Sequence, residues 1–403
     1  MSLIYIITYF IKISSVENER KIIMKNKQFL MIPGPTPVPE SVLLAMAKHP
    51  IGHRSGEFSK ILEEVYENLK YVFQTKNDVF MFASSGTGAM DAALSNLINE
   101  GDNVLSLVLG NFGNRWAKIA SGYGANVDKI EVEAGEVINP EDVKKKLAEK
   151  DYKIVTLTHS ETSTGAKNDV EAICKIISQT NAISVVDGVT SVSAMNVKPD
   201  EWGINVLVSG SQKGFMIPPG LAFLVADEKA WKVHEQCKHP SFYFSWDAHR
   251  KSVRENSTPY TAAVNLIFAL QEALKMIKEE GLENVYARHE RLALGLRHSL
   301  KSMGLELLVK DDKNASYSIT SVLPPEGISV PDIRSHMNKD FDIVVANGQN
   351  ALKDKIFRMG TLGFVSDRDL LTAVASLETV LARLGHKFEV GIGTKTAIEW
   401  LNK

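Results

Sequence analysis

Several things are scarce in this sequence, and each scarcity removes a class of protein. Only two cysteines, Cys174 and Cys237, occur in 403 residues. They share no short spacing with each other or with a histidine pair, so neither a disulfide framework nor a local metal motif is expected. Charge of one sign is not in excess: 46 basic against 48 acidic side chains leave a net charge of −2. With no long basic run either, nothing supplies the phosphate attraction on which nucleic-acid binding rests. Long apolar runs are also missing. The best candidate, Leu3 to Ile13, is interrupted by Thr8 and Lys12 and is too short to span a bilayer. It lacks the preceding basic segment of a secretory signal, so residues 1–30 are expected to be a leader outside the fold, with Met24 as the natural start. Free thiols suit a reducing cytoplasm, and Cys174 falls on the apolar side of a helical pattern, where a buried structural role is expected.

A hydrophobic content of 44% and a charged content of 23% suit an ordinary globular chain, and the length suits a large and a small domain. Between residues 79 and 226 short β-rich runs alternate with amphipathic segments, the pattern of parallel strands joined by crossover helices. Strands are expected at Val79–Ala83, Val104–Val108, Lys153–Thr158, Ile183–Asp187, Val206–Ser209 and Leu221–Val225. Helices are expected at Thr87–Ile98, Asn114–Gly122, Asn139–Glu149 and Asn168–Gln179. From Pro259 to Met303 an Ala/Leu/Glu/Lys-rich stretch broken at Glu280-Gly281 reads as two consecutive helices, one of them bridging two domains. Beyond it, strands near Leu305–Val309, Tyr317–Val322 and Lys355–Met359 and helices near Val330–Met337 and Asp367–Leu384 make a smaller α+β unit. The expected division is a large domain over 31–280 and a small one over 281–403. The fold class is α/β, with a mostly parallel sheet covered by helices.

Such sheets bind ligands at the carboxyl ends of their strands. After the first strand comes Ser84-Ser85-Gly86-Thr87-Gly88, which leads straight into a helix. Free N–H groups and the helix dipole there favour a dianion such as phosphate, although the same segment could simply cap the helix. Asp187 closes the run AISVVD without an obvious local cation. It could cap the turn at Gly188, or pair with a protonated pyridine nitrogen, whose charge makes pyridoxal phosphate an electron sink. Lys213 lies in VSGSQKGFMIPPG, between an apolar strand and a Pro-Pro-Gly turn. Desolvation there lowers its pKa and makes the amine nucleophilic toward a carbonyl.

The ordered set PGPTPVP, SSGTGAMDAAL, HSETSTGA, VVDGVTS, SGSQKGFMIPPGLAF and FRMGTLG resembles the class V branch of fold-type I pyridoxal-phosphate enzymes. Within that branch it is most similar to the alanine–glyoxylate and serine–pyruvate (serine–glyoxylate) aminotransferases. The resemblance runs from about Met31 to the C-terminal region. It implies that Lys213 forms the Schiff base and shuttles the proton, and that Asp187 pairs with the ring nitrogen. Ser85, Gly86, Thr87 and Gln212 would hold the phosphate, and Thr162 would lie near the phenolic oxygen. Phe112 would stack on one face of the ring and Val189 on the other. Arg358 would grip the substrate carboxylate beside the Gly34 backbone. The resemblance further implies a homodimer with shared active sites, in which Asn256 and Thr258 reach the partner's phosphate. His53-Arg54-Ser55 resembles a segment that touches the substrate's distal end or pairs acids across an interface. Phe112 stands where relatives often have Trp or His, and Thr87 where some have His.

The expected activity is a ping-pong transfer of an amino group from alanine or serine to glyoxylate or pyruvate. Phosphoserine aminotransferase shares the His-Arg-Ser segment, but the context around Lys213 favours the first group. A desulfurase or lyase would need a mobile cysteine, and residues 338–350 hold none. The branch also contains proteins regarded as soluble-hydrogenase subunits, so a non-catalytic component of a larger complex is the remaining alternative.

Overall fold

Strands that are apolar at every position require cover on both faces, and the computed structural model, which describes residues 27–403, provides it. The described chain opens with β1 (Phe29–Met31), α1 (Glu40–Met46) and α2 (Gly56–Phe73). There follow β2 (Val79–Phe82), α3 (Gly86–Leu94), β3 (Asn103–Val108), α4 (Asn111–Gly122), β4 (Asn126–Glu131), α5 (Pro140–Glu149) and β5 (Ile154–Thr158). A short hairpin, β6 (Ser160–Glu161) with β7 (Ala166–Lys167), leads into α6 (Val170–Ile177), β8 (Ile183–Asp187), α7 (Pro199–Trp202), β9 (Val206–Gly210) and β10 (Ala222–Ala226). Four helices come next: α8 (Glu228–His234), α9 (Trp246–Arg254), α10 (Val264–Glu280) and α11 (Leu282–Ser302). The remainder is β11 (Ile319–Val322), α12 (Val330–Phe341), β12 (Ile343–Asn347), β13 (Phe357–Gly360), α13 (Asp367–Arg383) and α14 (Ile392–Leu401). The expected start at Met24 and residues 1–26 of the expected leader lie outside the described residues, and its end is corrected: Phe29 and Leu30 belong to the fold, as part of β1 paired with β12.

The large sheet has the order β2-β10-β9-β8-β5-β3-β4. Strands β9, β8, β5, β3 and β4 run parallel to one another, while β10 is antiparallel to both β9 and β2, which leaves β2 aligned with the rest. The reversal follows from the connection. Residues 211–221, turning at Pro218-Pro219-Gly220, are too few to form the crossover helix that a parallel return needs. Every residue of β2, β5, β8, β9 and β10 is buried. Edge strand β4 is more exposed, and none of its residues is fully buried.

The smaller sheet has the order β1-β12-β13-β11, so the first described strand pairs with one from the C-terminal region. Two apolar clusters correspond to the two sheets, and α11 serves both. Val285 and Tyr286 pack into the larger cluster, Leu292, Leu296 and Leu300 into the smaller. The strand expected at Leu305–Val309 is corrected: Leu305, Leu307 and Val309 alternate inward as a strand would, but the ladder is a single bridge, Leu307 to Val322. Among the described residues no helix is long and apolar enough to cross a membrane.

Candidate active site

The carboxyl ends of β2, β3, β5, β8 and β9 face one cavity of about 300 Å³, closed from the other side by β13 and the first loop after β1. Its walls include Ser85, Gly86 and Thr87 after β2, Phe112 on α4, Thr162 after β6, Asp187 and Val189 at the end of β8, and Gln212 and Lys213 after β9. Gly34 and Arg358 complete the wall opposite. Eleven residues singled out along 325 positions of sequence thus meet in one place.

Lys213 is 9% exposed, and its Nζ donates to the Pro33 carbonyl at 2.5 Å. Burial drives its pKa from 10.5 down to about 8; the Asp187 carboxylate opposes the shift, while the guanidiniums of Arg358 and Arg115 reinforce it. A substantial fraction is therefore neutral near pH 7.5, as a nucleophilic amine must be. Gly34 makes this placement possible. At φ 137° it occupies a region that side chains disfavour, and a Cβ there would lie 2.6 Å from Lys213 Nζ.

Two buried charges of opposite sign stand here without ion-pair partners among the described residues. Asp187 is 4% exposed, and its Oδ1 accepts from Val189 N at 2.8 Å, the fold's one local compensation. Burial pushes its pKa up to about 6, with the nearby Glu161 charge adding to the rise. Arg358, also 4% exposed, donates from Nε to the Asn347 carbonyl at 2.8 Å and from Nη1 to the Thr162 carbonyl at 2.7 Å. Burial lowers it to about 10, and among the described residues no carboxylate bonds to it. Buried charges normally have partners, so this cavity is built for a ligand that brings a cation to one side and a carboxylate to the other.

A third group of features suits a phosphate. Ser85, the residue before α3, provides no side-chain cap, which leaves N–H groups at that helix start open to an anion. Gln212 Oε1 is buried with no hydrogen-bond partner, an arrangement that a bound group would relieve. Adding a Cβ at Gly86 would bring it within 3.0 Å of Val189 Cγ2, so the helix start and the β8 loop are in close register.

The structure also adds residues that sequence reasoning passed over, notably Arg115, Met90 and Gln349. Arg115 Nη1 donates to Thr87 Oγ1 at 2.8 Å, and the guanidinium sits 4.5 Å from the centre of the Phe112 ring. Phe112 and Arg115 stand three apart on one helix and share its face, but the helix read from the sequence begins only at Asn114, so their pairing emerges from the structure. Asn256 and Thr258 do not join this cavity. Thr258 Oγ1 donates to the Tyr260 carbonyl at 2.8 Å, and Asn256, two residues past α9, has a left-handed φ of 48°. Arg54 pairs with no acid among the described residues; it donates to Ser257 Oγ at 2.8 Å, to the Thr258 carbonyl and to the Tyr260 carbonyl at 3.2 Å, thereby fastening that segment. Ser55 caps α2 through Phe58 N.

Set beside known proteins, residues 28–365 match the family described as Aminotransferase class-V. The chain is 48% identical over 379 residues to a Synechococcus protein named soluble hydrogenase, small subunit, with 93% of this chain and 98% of that one covered. It is 34% identical over 388 residues to the serine–glyoxylate aminotransferase of Methylorubrum extorquens, covering 94% and 96%. The crystal structure of ureidoglycine–glyoxylate aminotransferase from Bacillus subtilis matches with a TM-score of 0.90 at 32% identity, covering 94% of this chain and 99% of that one.

Proposed function

The chain belongs to the class V aminotransferases, a pyridoxal-phosphate family, and from that premise we propose that it holds the cofactor on Lys213 and passes the amino group of alanine or serine to glyoxylate or pyruvate. The observation that carries this reading is a buried amine lowered to about 8 between an unpaired carboxylate and an unpaired guanidinium. When bound, pyridoxal phosphate supplies an aldehyde that condenses with amines and a ring that withdraws electrons from the substrate's α-carbon. Everything else in the chemistry falls to the chain.

Lys213 would hold the cofactor through Nζ and, as a free amine, would carry the proton between the substrate's α-carbon and the cofactor's C4′ carbon. Asp187 holds a proton on the ring nitrogen, and the partner so gained offsets the cost of its own burial. Ser85, Gly86, Thr87 and Gln212 bind the phosphate at the start of α3. Phe112 and Val189 would enclose the ring, Thr162 would serve its phenolic oxygen, and Arg358 with the Gly34 backbone would orient the substrate carboxylate through the planar fork. Both half-reactions use the same atoms, so donor and acceptor bind in turn. Support for glyoxylate as acceptor comes from the names of the Methylorubrum and Bacillus relatives. The protein works as a cytoplasmic homodimer, and the segment of Asn256 and Thr258, held by Arg54, reaches the phosphate of the neighbouring subunit.

The test is borohydride reduction of the cofactor-loaded protein followed by peptide mapping. The expected label is on Lys213, and Lys213→Ala is expected to keep its fold while losing turnover; a label elsewhere, or near-normal turnover in the variant, refutes the reading. The name of the Synechococcus relative favours a second reading, a non-catalytic component of a larger assembly. Such a protein would gain no yellow colour with pyridoxal phosphate and no spectral change on adding an amino acid.

A further inference from the structure

Helix α4 carries Phe112 and Arg115 into the cavity, yet its own start lacks a local cap. The residue before it is Gly110, which has no side chain to offer. Backbone N–H groups of a part-buried first turn must be satisfied somewhere, and here they are satisfied by the end of β6 and the loop that follows it. Ser163 Oγ accepts from Asn111 N at 3.0 Å, and Glu161 Oε2 accepts from Phe112 N and Gly113 N, both at 3.1 Å. Glu161 Oε1 in turn accepts from Ser163 N at 3.1 Å and Ser163 Oγ at 2.5 Å. The cap takes up the space at Gly110: a Cβ there would lie 2.4 Å from Ser163 Oγ and 2.9 Å from Glu161 Cγ.

Glu161 is fully buried, at 0% exposure, and does not line the cavity. Burial pushes the Glu161 pKa up, and the four donors on its two oxygens oppose that rise, since a proton on the carboxyl would find no acceptor; the ionised form also complements the positive end of the helix. The next residue, Thr162, provides the carbonyl that accepts from Arg358 Nη1. One carboxylate therefore fastens the helix bearing Phe112 and Arg115 to the turn against which Arg358 rests.

We propose that Glu161 is a positioning residue for the transamination: it touches neither cofactor nor substrate, and by capping α4 from another loop it sets the height and tilt of the Phe112 ring over the cofactor. This rests on the reading that the cavity holds pyridoxal phosphate with Phe112 against its ring. The cap comes from another element because Gly110 has no side chain to offer, and its missing Cβ is what leaves room for Ser163 and Glu161.

The experiment compares the wild type, Glu161→Gln, Phe112→Leu and the double variant, each loaded with pyridoxal phosphate. In Glu161→Gln an amide NH₂ must face N–H donors. The expected result is altered visible circular dichroism of the bound cofactor, several-fold weaker cofactor binding, and a kcat reduced about ten- to hundredfold, the scale of an ångström of misplacement. KM for the amino donor should change less than about threefold, because Arg358 keeps both backbone acceptors. In the Phe112→Leu background, Glu161→Gln should lower kcat by less than about threefold, since the two act through one contact. Fully multiplicative effects, or a Glu161→Gln protein with wild-type dichroism and kcat, overturn the proposal. Should that variant not fold, Ser163→Ala removes the Asn111 cap and is expected to give the same spectral change at smaller amplitude; an unaltered spectrum and kcat there overturn it too. A wild-type protein that gains no visible band with pyridoxal phosphate refutes the cofactor reading itself and takes this inference with it.

Discussion

Replacing Asp187 by Asn should make the apoprotein relatively more stable as pH rises, while weakening its hold on the cofactor. The folded chain keeps the Asp187 carboxyl at a pKa of about 6, against 3.8 for an ordinary aspartate, because burial disfavours its charge. Below pH 4 both folded and unfolded states are protonated and the group contributes nothing. Between pH 4 and 6 the unfolded chain gives up the proton while the folded one retains it, so stability falls as pH rises. Above 6 the loss is complete, and the gap between the folded and unfolded values corresponds to ~3 kcal/mol; at pH 5 roughly half of that is expressed. Asparagine can keep the bond from Val189 N, at 2.8 Å in the wild type, and has no charge to bury. Its amide hydrogens lack acceptors, a cost that does not vary with pH, so the discriminating quantity is the difference between pH 5 and pH 8. Urea unfolding of the two apoproteins should show the variant gaining ~1–2 kcal/mol on the wild type across that interval. Adding pyridoxal phosphate at a hundred times the wild-type Kd should add about 2.7 kcal/mol to the wild type and less to the variant, which holds it more weakly. A stability difference that is the same at both pH values would refute the assignment of an unpaired, buried carboxylate to this position.

Arg358→Lys should raise KM for the amino donor roughly ten- to hundredfold with the cofactor still bound, because a point charge cannot reproduce the planar fork and charge-assisted hydrogen bonds are worth about 1.5–3 kcal/mol; steady-state kinetics checks it. Gly34→Ala would set a Cβ 2.6 Å from Lys213 Nζ at a φ of 137°. It should slow cofactor attachment by more than about tenfold with unchanged far-ultraviolet dichroism, since the amine must give way. In the wild-type apoprotein the attachment rate, followed by absorbance, should climb with pH and level off above about 8, where Nζ has become neutral. A rate still climbing at pH 10 would mean a lysine with the ordinary value.

The large sheet was legible because its central strands are apolar at every position, and AISVVD or VLVSG permit few other readings. Edge strand β4 was not, since Asn126–Glu131 is mostly polar, with only Val127 and Ile130 apolar, and none of it is fully buried. Strand β12 was passed over as well: only two of its five residues are buried, so its pattern is that of a partly covered strand. Helix α4 was expected to begin at Asn114 and begins at Asn111. The physical reason is that its cap comes from Glu161 and Ser163, which no local motif around Gly110 announces. The site follows the same division. Lys213, Asp187 and the Ser85–Thr87 turn lie at strand ends, where chemistry is expected. Arg115 and Gln349 enter the cavity from a helix face and a loop, and only the tertiary arrangement brings them there.

The cavity's charges give the assembled site its logic. Three cationic side chains, Lys213, Arg358 and Arg115, share it with one carboxylate, Asp187, so with the amine protonated its walls carry a formal excess of two positive charges. An excess of that kind in a low-dielectric place repels itself; burial is the main cause of the depressed pKa of Lys213, and the guanidiniums of Arg358 and Arg115 add to it. A phosphate at the start of α3 and a carboxylate on Arg358 would remove the excess, while a ring cation on Asp187 would balance the one negative wall. The amine then stays poised by burial alone, and the substrate's own carboxylate becomes part of what keeps the pocket in balance. A neutral analogue lacking that carboxylate should therefore bind far worse than its lost hydrogen bonds alone would suggest, and the deficit should shrink in Arg358→Leu, where there is no uncompensated guanidinium left behind.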